Sequence, residues 1–264
     1  FIPPSVTLPI SFKSSTYCTE IPSLILHDPT KEVILGVDEA GRGPVLGPMV
    51  YGIAYCLKTF EPILKKYGFD DSKILTEQKR FELTREICEE GSELNQNIGW
   101  STTTLTSRDI SSDMLSYQVN LNSQAHDATI ELIKSTLSKG VNLKEVYVDT
   151  VGPPASYQKK LQENFPLIKI TVTKKADSLF KIVSAASVVA KVTRDFNLSL
   201  CKKDKNDKLG SGYPSDPNTK KWLVQNMNPL FGWGKLVRYS WSTATNCLEN
   251  NNAIKVVFAT DIQE

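Results

Sequence analysis

Histidine is nearly absent from this 264-residue chain, which holds only His27 and His126, far apart. A zinc centre or a serine-type triad would have to be assembled from very little. Cysteine is sparse too. The five stand at positions 18, 56, 88, 201 and 247, an odd count without a CxxC pair. That pattern fits reduced, buried thiols of a cytosolic or nuclear protein better than a disulfide framework. No stretch approaches the ~20 apolar residues of a membrane span. The opening Phe1-Ile2-Pro3-Pro4 lacks the basic and apolar regions of a secretory signal. There is no internal repeat. Glycine-rich Gly41-Arg42-Gly43 is not followed by Gly-Lys-Ser/Thr, so it is no Walker loop, and its spacing is not that of a dinucleotide fingerprint.

What is present is ordinary in bulk: 40% hydrophobic and 23% charged residues, which exclude wholesale disorder and a collagen-like repeat. Net charge is only +2, but its distribution is uneven. From Lys159 to Lys221 there are 14 Lys and Arg against six Asp and Glu, so the remainder of the chain is acidic. Such asymmetry suits a face prepared for an anion, or simply a solvated charged surface.

Residues 1–30 hold five prolines and no periodicity, which predicts an extended arm laid on the surface. Apolar runs bounded by turn signals predict strands over 33–37, 49–55, 97–104, 145–149 and 167–172. Helices are expected from Thr76, a plausible cap, across 115–137 and over 178–196, with shorter pieces punctuated by Pro214, Pro217 and Pro229. Strands first, then strands alternating with helices, predict an α/β layer fold with a mixed sheet.

Three of these strand ends deliver acids: Asp38-Glu39, Asp149, and Asp177 just after the last strand. Ligand sites in α/β sheets favour the carboxyl ends of strands. Four converging carboxylates repel one another unless cations intervene, and hard oxygen donors suit Mg²⁺ or Mn²⁺. Asp38 and Glu39 are adjacent, so a regular strand would point them to opposite faces. Both serve one site only if the strand ends or bulges there, as Ala40-Gly41-Arg42-Gly43-Pro44 suggests. The glycines make either a tight turn or a close approach of backbone to ligand. On the helix after Asp177, Leu179, Ile182, Val183, Ala186, Val189 and Ala190 cluster on one side. Ser184, Ser187, Lys191 and Arg194 form a stripe on the other, which reads as a phosphate site or as a partly exposed edge with ordinary ion pairs.

These residues resemble type 2 ribonuclease H. The likeness rests on Asp38-Glu39-Ala40-Gly41-Arg42-Gly43-Pro44, Asp71-Ser72-Lys73, the Asp149 strand, Lys175-Ala176-Asp177, Ser184-Ala185-Ala186-Ser187 with Lys191, and Ser211-Gly212-Tyr213-Pro214-Ser215-Asp216-Pro217. It runs in order from about residue 32 to 245, and Phe231-Gly232-Trp233 through Trp241 looks like the eukaryotic catalytic subunit. The resemblance implies a ribonuclease H-like fold, a central mixed sheet flanked by helices, with a C-terminal helical extension. It divides the chain into an arm (1–30), a catalytic domain (31–200) and an extension completing the substrate site (201–264). It implies an endonuclease that cleaves the RNA strand of RNA–DNA hybrids and incises 5′ of single ribonucleotides in duplex DNA, leaving 3′-hydroxyl and 5′-phosphate ends. Asp38, Glu39, Asp149 and Asp177 would hold two divalent ions, Mg²⁺ or Mn²⁺. Gly41, Arg42, Gly43 and Tyr213 would read the 2′-hydroxyl, and Lys73, Ser187, Lys191 and Arg194 would contact phosphates. Two accessory subunits and a nuclear setting are expected, with no membrane. His126 is expected to be structural. A hybrid-binding protein with a dead site, and an exonuclease or phosphatase with the same metal chemistry, are the competing readings.

Overall fold

The computed structural model describes residues 1–70, 74–150, 152–202 and 207–257. Six strands form one sheet: β1 (Ser15–Cys18), β2 (Val33–Ala40), β3 (Met49–Leu57), β4 (Gly99–Leu105), β5 (Leu143–Asp149) and β6 (Lys169–Thr173), in the order β1-β4-β3-β2-β5-β6. The first four pair antiparallel, and β2, β5 and β6 run parallel. The sheet is therefore mixed. All nine residues of β3 are buried, as expected of a central strand covered on both faces.

One face carries the Lys181–Leu200 helix, with Glu61–Tyr67 and Glu77–Cys88 packed beside it; Leu121–Ser138 and Pro154–Asn164 associate with the sheet elsewhere and with each other. The long helix sits close because Gly36 and Gly52 offer no side chain beneath it. A Cβ on Gly36 would stand 2.5 Å from the main chain of Ile182, and one on Gly52 2.8 Å from the Ala186 carbonyl oxygen.

The structure corrects several expectations. The arm is not merely laid on the surface: Ser15–Cys18 adds a strand to the sheet, and Ser23–Leu26 is a short helix. The helix expected over 115–137 begins only at Leu121, because Gln118 adopts a φ of 55° and the Asn120 side chain caps a fresh start by accepting from Ser123 N. The helix expected over 178–196 is broken at Phe180, whose extended backbone (φ −120°, ψ 118°) separates Ala176–Leu179 from Lys181–Leu200. Leu179 is thereby rotated out of the apolar side and stands 64% exposed. The helices Glu61–Tyr67, Glu93–Asn97, Ser107–Ser116 and Pro154–Asn164 add to those the sequence predicts. By contrast, Thr76 does cap Glu77–Cys88, accepting from Lys79 N.

A second, smaller core lies in the extension. Leu209, Trp222, Leu223, Trp233, Val237 and Ala244 pack there with Val45 and Leu46 from the loop after β2 and with Leu198 from the long helix. Trp241 packs against both cores.

Candidate active site

The parallel pairing of β2 with β5 stops at Val37↔Val148, one residue short of the acids on each strand. Asp38 lies on the face covered by the long helix, since it shares that face with Gly36 and pairs with Gly52. Glu39 lies on the opposite face, opposite Tyr51 in register. The strand neither ends nor bulges between them, contrary to expectation; β2 continues to Ala40. Both nevertheless reach one cleft of about 490 Å³, because β5 no longer covers this end of β2.

Asp149 and Asp177 line the same cleft, as do Gly41, Arg42, Gly43, Ser187 and Tyr213. The structure thus gathers four acids from three separate segments with the glycine loop and the tyrosine. Leu121 and Trp241 complete the wall. Sequence reasoning misses both. They are apolar residues of ordinary helical or aromatic stretches, so no local pattern marks them.

Each acid is oriented by its own neighbourhood. Asp38 is 6% exposed and accepts from Glu39 N at 2.7 Å and from the Ser187 hydroxyl. Burial, and then the charges of Glu39 and Asp149, push its carboxyl well above the usual range. Asp149 accepts from Ala176 N at 2.8 Å. Asp177 accepts from Ser178 N at 3.0 Å, and its own carbonyl accepts from the Ser184 hydroxyl. The left-handed backbone of Lys175 (φ 58°) makes the turn that presents Ala176 N to Asp149. Among the described residues, no three His, Cys, Asp or Glu side chains already stand as a closed metal cage. The donor set is nonetheless all-oxygen, anionic and mutually repelling, which fits hard divalent cations.

The glycine loop is held from behind. Gly41 has φ 78°, and a Cβ there would lie 2.7 Å from the Pro48 carbonyl oxygen, so no other residue fits without strain. Arg42 donates to the Asn122 side chain and, at 3.4 Å, to the Tyr51 hydroxyl. Arg238 is completely buried and donates to the carbonyls of Gly41 (2.6 Å), Arg42 (2.9 Å) and Gly47 (2.9 Å). Trp241 donates to the Gly43 carbonyl at 3.0 Å. Tyr213 is 42% exposed, with its ring edge over Gly43.

The stripe on the long helix divides. Ser187 reaches the cleft, whereas Ser184 is buried against Asp177. Lys191 lies outside the lining and pairs with Asp195 at 2.9 Å. Arg194 is corrected from phosphate contact to loop support. Its side chain is 3% exposed and donates to the carbonyls of Ser211 (3.0 Å) and Leu46 (3.4 Å) and to Asp195 (3.0 Å). Lys73, with Asp71 and Ser72, lies outside the described residues. His126 stacks on Tyr157 with ring centres 3.9 Å apart.

The family profile described as Ribonuclease HII matches residues 35–244. A ribonuclease H2 subunit from Neurospora crassa is 50% identical over 272 residues, covering 100% of this chain and 86% of its own. The subunit of the same name from Schizosaccharomyces pombe is 52% identical, covering 94% and 76%. Among solved structures, the ribonuclease H2 of Pyrococcus horikoshii OT3 is similar with a TM-score of 0.69 and 30% identity, covering 83% of this chain and 98% of its own.

Proposed function

Given that the chain belongs to the ribonuclease HII family and is a ribonuclease H, an endonuclease of RNA–DNA hybrids, we propose that its cleft also incises duplex DNA on the 5′ side of a single embedded ribonucleotide. The products carry 3′-hydroxyl and 5′-phosphate ends. The observation that carries this reading is the meeting of four carboxylates with Gly41-Arg42-Gly43 and Tyr213 in one cleft. A phosphodiester and the sugar beside it can be gripped there together.

Asp38, Glu39, Asp149 and Asp177 would hold divalent ions, Mg²⁺ or Mn²⁺. When bound, such ions neutralise the carboxylates, polarise the phosphate and lower the pKa of a bound water. The chain's own residues supply the rest. The Ser187 hydroxyl and Glu39 N fix the rotamer of Asp38, and Ala176 N fixes that of Asp149. The glycines let the loop's backbone approach a ribose that any side chain would hold off. Tyr213 offers a ring to the neighbouring sugar or base and a hydroxyl to the 2′ oxygen. No histidine base is required.

The relatives are named as subunits, which implies a multi-subunit enzyme. We place two accessory subunits with this chain, supported by the exposed Leu230 and Phe231 of the extension. We also place the chain in the nucleus; its five cysteines are free thiols, which supports a reducing compartment.

The test uses an end-blocked DNA duplex with one ribonucleotide, incubated with the chain alone and with co-expressed partners, in Mg²⁺, Mn²⁺ or excess chelator. Metal-dependent incision 5′ of the ribonucleotide, lost in Asp149→Asn, is expected. Cutting in chelator would refute the metal assignment. Binding without cutting in every preparation would favour a dead site.

A further inference from the structure

Two side chains of the extension, three positions apart, hold every carbonyl of the glycine loop. Arg238 takes those of Gly41 and Arg42, and Trp241 takes that of Gly43. The two are coupled to each other, the Arg238 guanidinium carbon standing 4.8 Å from the centre of the Trp241 ring. A trans peptide is planar, with its C=O and N–H opposed. Fixing the carbonyls of Gly41 and Arg42 therefore aims the N–H groups of Arg42 and Gly43 away from Arg238. The loop itself lines the cleft.

Structural duty alone does not account for this arrangement. Arg238 carries no carboxylate partner among the described residues; burial, and then the charge of Arg194, lower its pKa to about 9. A buried cation is costly unless its hydrogen bonds are satisfied. Here they go to carbonyls of the chain that follows β2, two of them in the glycine loop. Trp241 is only partly buried, and its indole N–H is directed at Gly43, the residue over which the Tyr213 ring edge lies.

We propose that Trp241, backed by Arg238, is a positioning residue for sugar selection. It holds Gly43 against Tyr213, so that the loop's N–H groups and the tyrosine meet one ribose at a fixed spacing. The proposal rests on reading this loop as the element that senses the 2′-hydroxyl. Its function is to keep the site's two sugar-facing parts in register, not to touch the reacting atoms.

Trp241→Phe keeps a ring beside Arg238 but removes the N–H together with one ring of the indole; Trp241→Ala removes the whole aromatic side chain. Rates are measured on a duplex with one ribonucleotide and on a long RNA–DNA hybrid, with kcat and KM separated and thermal stability recorded. One neutral hydrogen bond is worth about a tenfold effect at most. Trp241→Phe should lower kcat on the single ribonucleotide by about fivefold, leave KM within about twofold and lower the melting temperature by only about 2–4 °C. The loss on the long hybrid should be smaller, because it offers many registers. Trp241→Ala should widen the gap between substrates. If Trp241→Phe leaves the single-ribonucleotide kcat intact, or lowers both substrates equally in step with stability, the proposal fails. If wild type itself does not incise at a single ribonucleotide, the underlying reading fails instead.

Discussion

Asp38 is held where its charge is unwelcome. Burial, Glu39 and Asp149 all favour its protonated form, so its folded pKa is raised above the unfolded one. For a carboxyl shifted upward, the sign is plain: its contribution favours folding at low pH and turns against folding as pH rises above the unfolded value. Asp38→Asn should therefore abolish cleavage yet raise the melting temperature of metal-free protein at pH 7.5 by about 2–4 °C. Added Mg²⁺ should narrow that gap. A lower melting temperature in chelator would contradict the account. Tyr213 makes the opposite case. It is 42% exposed, so Tyr213→Ala should change stability by less than about 0.5 kcal/mol. Its stacking and hydroxyl terms are worth about 1–3 and about 1 kcal/mol. Cleavage at a single ribonucleotide should thus fall by about tenfold or more in Tyr213→Ala and less in Tyr213→Phe. Equal losses on a long hybrid, tracking a drop in melting temperature, would mark Tyr213 as mere packing.

At the level of strands and helices, the sheet and the long helix are locked by what two positions lack. Gly36→Ala would drive a methyl into the Ile182 main chain. Overpacking of this kind costs about 1–3 kcal/mol or more, which a shifted urea midpoint would report. On β5, Glu145 is held by Lys58, Tyr147 and Lys169, which pull its pKa down to about 2. A carboxyl lowered in this way stabilises above its unfolded pKa of about 4.3 and loses that contribution as pH falls toward 2. Glu145→Gln should be less stable than wild type at pH 7, and the difference should fade between about pH 4.5 and 2. A constant difference across that range would assign the effect to shape, not charge. Legibility follows the same physics. Buried strands announce themselves as apolar runs, and Asp38, Glu39, Asp149 and Asp177 stand at or just beyond their ends. Short amphipathic helices such as Glu61–Tyr67 carry too little periodicity to be seen. The break at Phe180 is made by tertiary packing, since nothing in its neighbours forbids helix.

Across the whole molecule, charge is less lopsided than its order along the chain suggests. Lys160, Lys169 and Lys181 pair with Asp127, Glu145 and Asp70, acids from outside the basic stretch. The expected anion-binding face is partly neutralised by folding, which linear counting could not reveal. Lys191 is also paired, with Asp195 four residues on. Surface helix pairs at this spacing are worth only ~0.3–0.5 kcal/mol, and this one is half-buried, so a phosphate displaces Asp195 from Lys191 at modest cost. Lys191→Ala should flatten the slope of log K against log salt for hybrid binding by about one unit; an unchanged slope would strike Lys191 from the phosphate contacts. Roles that depend on distant partners are equally hidden. Arg194 sits in a helical stripe by sequence, yet its hydrogen bonds run to Leu46 and Ser211.

The bond from Arg238 to Gly41 spans 197 positions. During synthesis the acids of β2, β5 and the turn at Asp177 all emerge before the side chain that shapes their neighbouring loop. A ribosome-bound intermediate can already have formed the sheet, but the loop beside its carboxylates has nothing to close on. On the proposed roles of the carboxylates and the loop, such a chain would gather ions long before it could judge a sugar. If the loop senses the sugar as proposed, the order of translation places discrimination last: the nascent nuclease acquires its carboxylates before the loop that chooses where to cut.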